Sequence, residues 1–465
     1  MRLQYASDGS CDNSTSNRGK EVMSLSPQTL RIRSRVAQWT EKGRKHWDLY
    51  RHLSDPHLLF DAIKLVIVNG GAAGIDGQTI GEVVGREWEM ALRLSEAIRS
   101  GNYRPVAVRR VYIPKSDGER RPLGIPTISD RIVQRALCLL LEMIYEQKFH
   151  EFSYGFRPKR RAVDCAADVA AAVYTHRYVL EADIAKFFDR VSHNLLLKQM
   201  GKEIVDPRVL RLTARFLKSG VEEIGKPWEP SQEGTPQGGP LSPMLANIYL
   251  HYLLDEKFSQ VYESSSRVKM FRFADDFVIV AVNEGELKAA ARLLSAWMTE
   301  ARLTLKKDKT KMVNMSNYAR SYHSKFDFLG FKFHLRSYKD NPKRFWIARQ
   351  PSEKSRTKLR AALRARAQAH LSPQVIKRKI EATWRGWCNY FRYANANRVL
   401  YRECDSVKRV TWRYLRRKFR RSGKPVEWSR LTVLADEIMM NIRPIRVIND
   451  SGREKRQQSF EFGRA

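Results

Sequence analysis

The chain has 465 residues, 43% of them apolar, so roughly two to four domains with sizeable cores are expected. Lys and Arg total 85 against 50 Asp and Glu, and a net charge of +35 calls for an anionic partner, nucleic acid first and an acidic membrane surface second. No apolar run reaches the roughly 18 residues of a membrane span, the N-terminal stretch lacks the apolar centre of a secretory signal, and five scattered cysteines exclude CxxC metal knuckles and fit reduced thiols in a cytosolic setting.

In chain order, residues 1–28 read as a flexible leader and 26–60 as helical and basic. The Gly-rich stretch 69–77 lacks the GK[ST] ending of a phosphate loop, so a structural loop is expected. A short strand over 111–114 runs into a turn at 115–118. Helical patterns cover 128–147 and 162–174, and a strand over 178–184 ends in Asp183. Another helix is expected over 243–258, then a hairpin at 271–282. An amphipathic helix follows at 284–301, with Leu287, Ala291, Leu294, Met298 and Ala301 at helical spacing. Strand character returns over 326–335. From residue 351 to 425 there are 22 Lys and Arg against 4 acids, about half of the total +35, in a helical, aromatic-rich pattern. A domain boundary is placed at 340–350 and a tail at 426–465.

Residues 271–280 read FRFADDFVIV, with Asp275 and Asp276 adjacent between two apolar runs. Taken alone, the pair fits an Asp-Asp turn as well as a cation site. Asp183 alters the balance, because the ends of neighbouring strands can bring it beside Asp275. Three carboxylates can hold two magnesium ions, one lowering the pKa of a 3′-hydroxyl and one neutralising departing pyrophosphate. Asp189 is read as a structural helix cap. Lys115 and Arg121 flank a turn and suit a triphosphate clamp, or else a solvated basic hairpin. Gln237 is the single amide in a loop of glycines and prolines at 234–243, where a base pair or sugar can rest; an ordinary loop before a helix is the other reading. Trp384, Trp387 and Phe391 share one helix face, and packing is their expected purpose. The run 411–421 carries more charge than one helix tolerates alone, which a phosphate backbone relieves.

These motifs in this order resemble the group II intron-encoded reverse transcriptase/maturase family. IPKSDGERRPLGIP (113–126) and FSYGFRP (152–158) resemble its finger motifs. ADIAKFFD (182–189), GTPQGGPLSPMLANIYL (234–250) and FADD (273–276) resemble its palm motifs. LTLKKDKTK (303–311) and FDFLGFKF (326–333) resemble the two blocks that follow. The resemblance implies an α+β right-hand polymerase, with fingers and palm over 56–340 (core motifs about 95–335) and an all-α basic thumb/maturase domain over 350–425.

It implies metal-binding roles for Asp183, Asp275 and Asp276 with two Mg2+ ions, and a proton-donating role for Lys309. Phe188 is implied as the bulky residue beneath the sugar. Lys115 and Arg121 are implied as triphosphate ligands, Gln237 as a residue near the nucleotide, and Phe328, Leu329 and Gly330 as the primer grip. Arg385, Arg392, Arg413, Arg416, Arg417, Lys418 and Arg420 are the expected RNA contacts. Implied partners are the host group II intron RNA, an RNA template with a DNA primer, target DNA and dNTPs, in a bacterial cytoplasmic ribonucleoprotein with no membrane role. One departure is visible: Phe273 stands where most relatives carry Tyr. The family's optional endonuclease domain is not expected after residue 425. Recruitment of such a polymerase to defence, spacer acquisition or diversification, or a catalytically silent splicing factor, are the alternatives.

Overall fold

The computed structural model describes residues 24–114, 120–222, 231–236, 238–316, 324–337, 341, 345–421 and 428–439. Its residues gather into two compact units, each assembled from separated stretches of chain. One takes Met1–Arg161, Ala182–Phe277 and Lys288–Thr310; the other takes Ala162–Glu181, Val278–Leu287 and Lys311–Ala465.

Among the described residues the strands are β1 (Val108–Pro114), β2 (Arg120–Ile125), β3 (Tyr178–Asp183), β4 (Val221–Glu222), β5 (Val268–Phe273), β6 (Asp276–Ala281), β7 (Lys311–Asn314), β8 (Lys325–Phe328), β9 (Phe331–Ser337) and β10 (Phe345–Pro351). They make three sheets, ordered β2-β1-β4, β5-β6-β3-β7 and β10-β9-β8. β6 reads DFVIVA and is buried from Phe277 to Ala281, the near-continuous apolar run expected of a strand covered on both faces. β10 falls where the sequence suggested only a boundary. It pairs antiparallel to β9, Ile347 opposite Leu335, with Ile347 and Ala348 buried although charge dominates the flanking sequence.

In the first unit, helix Pro27–Glu41 is capped by Ser26, which accepts from Thr29 N–H; the Ser26 N–H and hydroxyl donate to the buried Asp61 at 2.8 and 2.7 Å. Helix Pro56–Asn69 starts on an Asp55 cap with proline in its first turn. The Gly-rich loop after it is a structural joint, as expected. A Cβ on Gly74 would lie 2.7 Å from Thr127 Cα, and Arg109 Nη2 donates to Ala73 O at 2.6 Å. Helix Ile128–Tyr145, buried nearly all round with Asp130, Arg131 and Gln134 among its buried residues, lies in this unit's core. Leu241–Leu250 is α-helical and widens into a π-helical turn, His251–Asp255, before Glu256–Tyr262 resumes the helix. On helix Glu284–Glu300 the buried stripe is Leu287, Ala290, Leu294, Trp297 and Met298; Ala291 is only half-buried. Trp297 claims that face because its ring buries far more area than a methyl group.

The second unit holds helix Ala162–Val173, strands β7 to β10 and four helices, Glu353–Arg366, Pro373–Tyr390, Asn397–Arg421 and Trp428–Met439. Ser352 and Ser372 cap the first two of these four. Trp384 and Phe391 are buried and Trp387 packs between them, its ring centroid 5.9 and 4.9 Å from theirs, so this face serves packing. No helix among the described residues is long and apolar enough to cross a membrane.

Candidate active site

β3 delivers Asp183 to its C-terminal end, and the segment after residue 303 pins that end. Ala185 N–H donates to Thr304 O and Lys306 N–H to Asp183 O, each at 2.8 Å. The β5–β6 hairpin delivers Asp275 and Asp276 across a two-residue turn. Ala274 takes φ +58, a left-handed conformation that costs an alanine about 1–2 kcal/mol. Ile184 N–H donates to Asp275 O at 3.4 Å, which registers the end of β3 on this turn.

Asp183 is buried, with its side chain 6% exposed. Both its oxygens accept from Lys306 Nζ, at 3.0 and 2.9 Å, and Oδ2 also accepts from Lys309 Nζ. Burial opposes the charge on Lys309, but the hydrogen bond to Asp183 and the charges of Asp183 and Asp276 outweigh it and hold its pKa above the usual lysine value. Asp276 has solvent-accessible surface and yet is crowded by protein atoms. That crowding, then repulsion from Asp275 and Asp183, pushes its carboxyl up to about 7, with Lys309 and Lys306 pulling the other way. Because solvent reaches the side chain, the like-charge repulsion is the firmer of the two causes. A divalent cation would reverse it.

Among the described residues no three His, Cys, Asp or Glu side chains are drawn together as a metal cluster, and Asp183 is engaged by Lys306 and Lys309. The donor set nevertheless fits a hard divalent ion: three carboxylates, mutually repelling, with ammonium groups as the counter-charge. Lys306 carried no signal in the sequence beyond lying three residues before Lys309.

Phe188 is buried in the short helix Phe187–Arg190, its ring centroid 5.4 Å from Phe187 and 6.5 Å from Phe156. The expected cap role of Asp189 is wrong. The helix begins earlier, Lys186 holds the cap position with φ +46, and Asp189 lies inside, exposed, with its N–H donating to Lys186 O at 2.9 Å. The Gly-Thr-Pro loop is stitched to this helix: Thr235 N–H donates to Phe188 O at 2.6 Å and Gly234 N–H to Val191 O at 2.8 Å. Gly234 is required there, since a Cβ would lie 2.9 Å from Phe188 O. Further along, a Cβ on Gly238 would meet Gly124 O of β2 at 2.3 Å. β2, the loop and the Phe188 helix therefore adjoin. Arg121 sits in β2 opposite Ile113. Its side chain, Lys115 and Gln237 lie outside the described residues.

The Phe328-Leu329-Gly330 segment is the β8–β9 turn, with Leu329 at φ +50 and Gly330 at φ +79. Gly330 O accepts from Ser352 N–H at 2.9 Å and Ser355 Oγ at 3.0 Å, and Leu329 O accepts from Tyr390 Oη at 2.7 Å. The helices that follow thus hold this turn, a support the sequence did not reveal. Of the expected RNA contacts, Arg392, Arg413, Arg416, Arg417 and Arg420 are exposed. Arg385 pairs with Glu381 at 2.6 Å, and Lys418 donates to Leu371 O at 2.9 Å, so these two also serve the domain itself.

Two stretches of the chain match known families. Residues 113–333 match the family model for reverse transcriptase (RNA-dependent DNA polymerase), and residues 352–432 the one for the group II intron maturase-specific domain. Protein YkfC of Escherichia coli (strain K12) is 32% identical over 324 residues, 62% of this chain and 85% of that protein. The group II intron-encoded protein LtrA of Lactococcus lactis subsp. cremoris is 36% identical over 227 residues, 47% of this chain but only 37% of LtrA. The putative COX1/OXI3 intron 2 protein of Saccharomyces cerevisiae is 30% identical over 177 residues, 37% of this chain and 21% of that protein. A polymerase match and a maturase match in tandem, with a relative covered over most of its length, leave one assignment: the chain belongs to the group II intron reverse transcriptase/maturase family and is an RNA-directed DNA polymerase.

Proposed function

We propose that the chain extends a DNA primer along an RNA template at Asp183, Asp275 and Asp276, with dNTPs and two Mg2+ ions. One observation carries this reading: the end of β3 and the FADD turn meet, close enough for the charges of Asp275 and Asp183 to raise the Asp276 carboxyl. When bound, the divalent ions activate the primer hydroxyl and neutralise charge on the leaving pyrophosphate. Asp183, Asp275 and Asp276 would hold those ions. Lys309, with its raised pKa, holds a proton at neutral pH and stands ready to donate it to the leaving group. Primer extension by an Asp275→Asn protein tests the assignment.

Phe188 would form the floor beneath the sugar, leaving no room for a 2′-hydroxyl. Its ring is braced by Phe156 and Phe187, and its carbonyl by Thr235, so it cannot simply swing away. Phe188→Val opens that floor. Ribonucleotide incorporation relative to deoxynucleotide is expected to rise by about 10- to 100-fold, read from kcat/KM ratios in single-nucleotide extension. An unchanged ratio would move the sugar gate elsewhere.

The basic helices from residue 353 onward would bind the host intron RNA, assisting its splicing and presenting it for copying from a target-DNA primer. Arg413, Arg417 and Arg420 lie exposed on one long helix. Their joint replacement by Ala is expected to weaken binding of the flanking intron transcript and to flatten the log-log salt dependence by roughly 0.7–0.9 for each phosphate that is no longer neutralised. Filter binding across a salt series reads this directly. An unaltered slope would place the RNA on another face.

A further inference from the structure

Arg272 stands just ahead of the Phe-Ala-Asp-Asp run and is 0% exposed, as is Asp255. A buried guanidinium persists only when its donors are met. Nε donates to Asp255 Oδ1 at 2.8 Å, and Nη2 to Ser153 Oγ at 2.7 Å and to Asp255 Oδ2. Nη1 donates to Asn247 Oδ1 and to Ala274 O, both at 3.1 Å. One fork therefore ties three stretches of chain together: the segment at Ser153, the continuous helix that carries Asn247 and Asp255, and the hairpin itself. Asp255 reaches it from the π-helical turn His251–Asp255, a local widening of the kind that recurs at functional sites.

The network then closes on the catalytic turn from the other side. Asn247 Nδ2 donates to Gly155 O at 2.6 Å, and Gly155 lies so near the turn that a Cβ there would be 2.2 Å from Ala274 N. Ala274, the left-handed residue directly before Asp275, is thereby held through its carbonyl by Arg272 and hemmed in on its N–H side by the Gly155 backbone. A core ion pair would need Asp255 alone. The bonds to Ala274 O and Asn247 are aimed at the turn.

We propose that Arg272 is a positioning residue which, with Asp255 and Asn247, fixes the Ala274 turn and so the aim of the Asp275 and Asp276 carboxylates at divalent cations. This rests on the catalytic assignment of those carboxylates. Arg272 touches no reacting atom and acts through the turn.

The test uses the full chain with Arg272→Lys and, separately, Asn247→Ala. Lysine keeps a charge beside Asp255 but cannot reach Ser153, Asn247 and Ala274 O together. Asn247→Ala leaves the ion pair in place, so it folds even where Arg272→Lys does not. Mn2+ binding is measured by calorimetry on protein free of nucleic acid, and half-saturating Mg2+ by primer extension. Both variants are expected to bind Mn2+ about tenfold more weakly and to need about tenfold more Mg2+, as when a ligand's supporting hydrogen bonds are removed. The KM for dNTP at saturating Mg2+ should stay within about twofold. Unchanged Mn2+ affinity in folded variants overturns the proposal and leaves Arg272 a core ion pair only. Asp275→Asn separates the two readings: if it too leaves Mn2+ binding intact, the catalytic assignment fails and this inference falls with it.

Discussion

Replacing Asp275 by Asn is expected to abolish RNA-templated primer extension while leaving the protein folded. The exchange keeps the shape of the side chain and removes one charge. Where carboxylates hold cations on a reacting phosphate, losing one charge removes about 4 kcal/mol of transition-state stabilisation, roughly a thousandfold in rate. Folding should be untouched. Asp275 is half-buried at a hairpin tip, and its charge presses on Asp276, so neutralising it relieves a repulsion. The melting temperature should hold or rise slightly, and RNA affinity should not change. Asp189→Asn is the matched control, an exposed carboxylate only six positions after Asp183, and its extension rate should stay within about twofold. Wild-type extension by the Asp275→Asn protein would sink the catalytic assignment.

The strands that carry Asp183, Asp275 and Asp276 were legible because a buried strand ending in a polar residue is a local pattern. VLEAD and DFVIVA announce where β3 ends and β6 begins. What holds these residues in place was not legible, because it depends on contacts between distant segments. Arg272 reads in sequence as one cation among 85 Lys and Arg, yet it is fully buried. Its partner Asp255 sits in what looks like an ordinary amphipathic helix, and only the π-helical turn brings it round. Lys306 likewise looks like surface charge until Thr304 pairs with Ala185 and sets its side chain on Asp183. The Asp189 error has the same origin: a helix start depends on the backbone at Lys186, which no side-chain pattern reports.

Glu403→Ala is expected to destabilise the basic helices most of any single change there. Glu403 is 0% exposed inside helix Asn397–Arg421 and accepts from Arg356 Nε at 2.7 Å and from Arg360 Nε and Nη2 at 2.8 and 2.5 Å. Removing the carboxylate leaves Arg356 and Arg360 only their contacts with the exposed Glu353 and costs several charge-assisted hydrogen bonds, a loss of about 2–3 kcal/mol. Hydrogen exchange should then accelerate across Glu353–Arg366 and Asn397–Arg421 and leave β3 and β6 protected. The pH response has a definite sign. Burial alone would raise the Glu403 pKa, but the hydrogen bonds and charges of Arg360 and Arg356 outweigh it and set the carboxyl below its ordinary value. A depressed carboxyl pKa contributes stability that is complete above the unfolded value, about 4.3, and is lost as pH falls through the folded one. Protection of these helices should therefore fail below about pH 4, earlier than in a Glu403→Leu, Arg356→Met, Arg360→Met triple variant, whose apolar side chains refill the site without any buried charge. The triple variant also decides what the two arginines are for. If it regains stability and still binds intron RNA, Arg356 and Arg360 serve the packing of these helices; if it regains stability but loses the RNA, they belong to the RNA-binding surface as well.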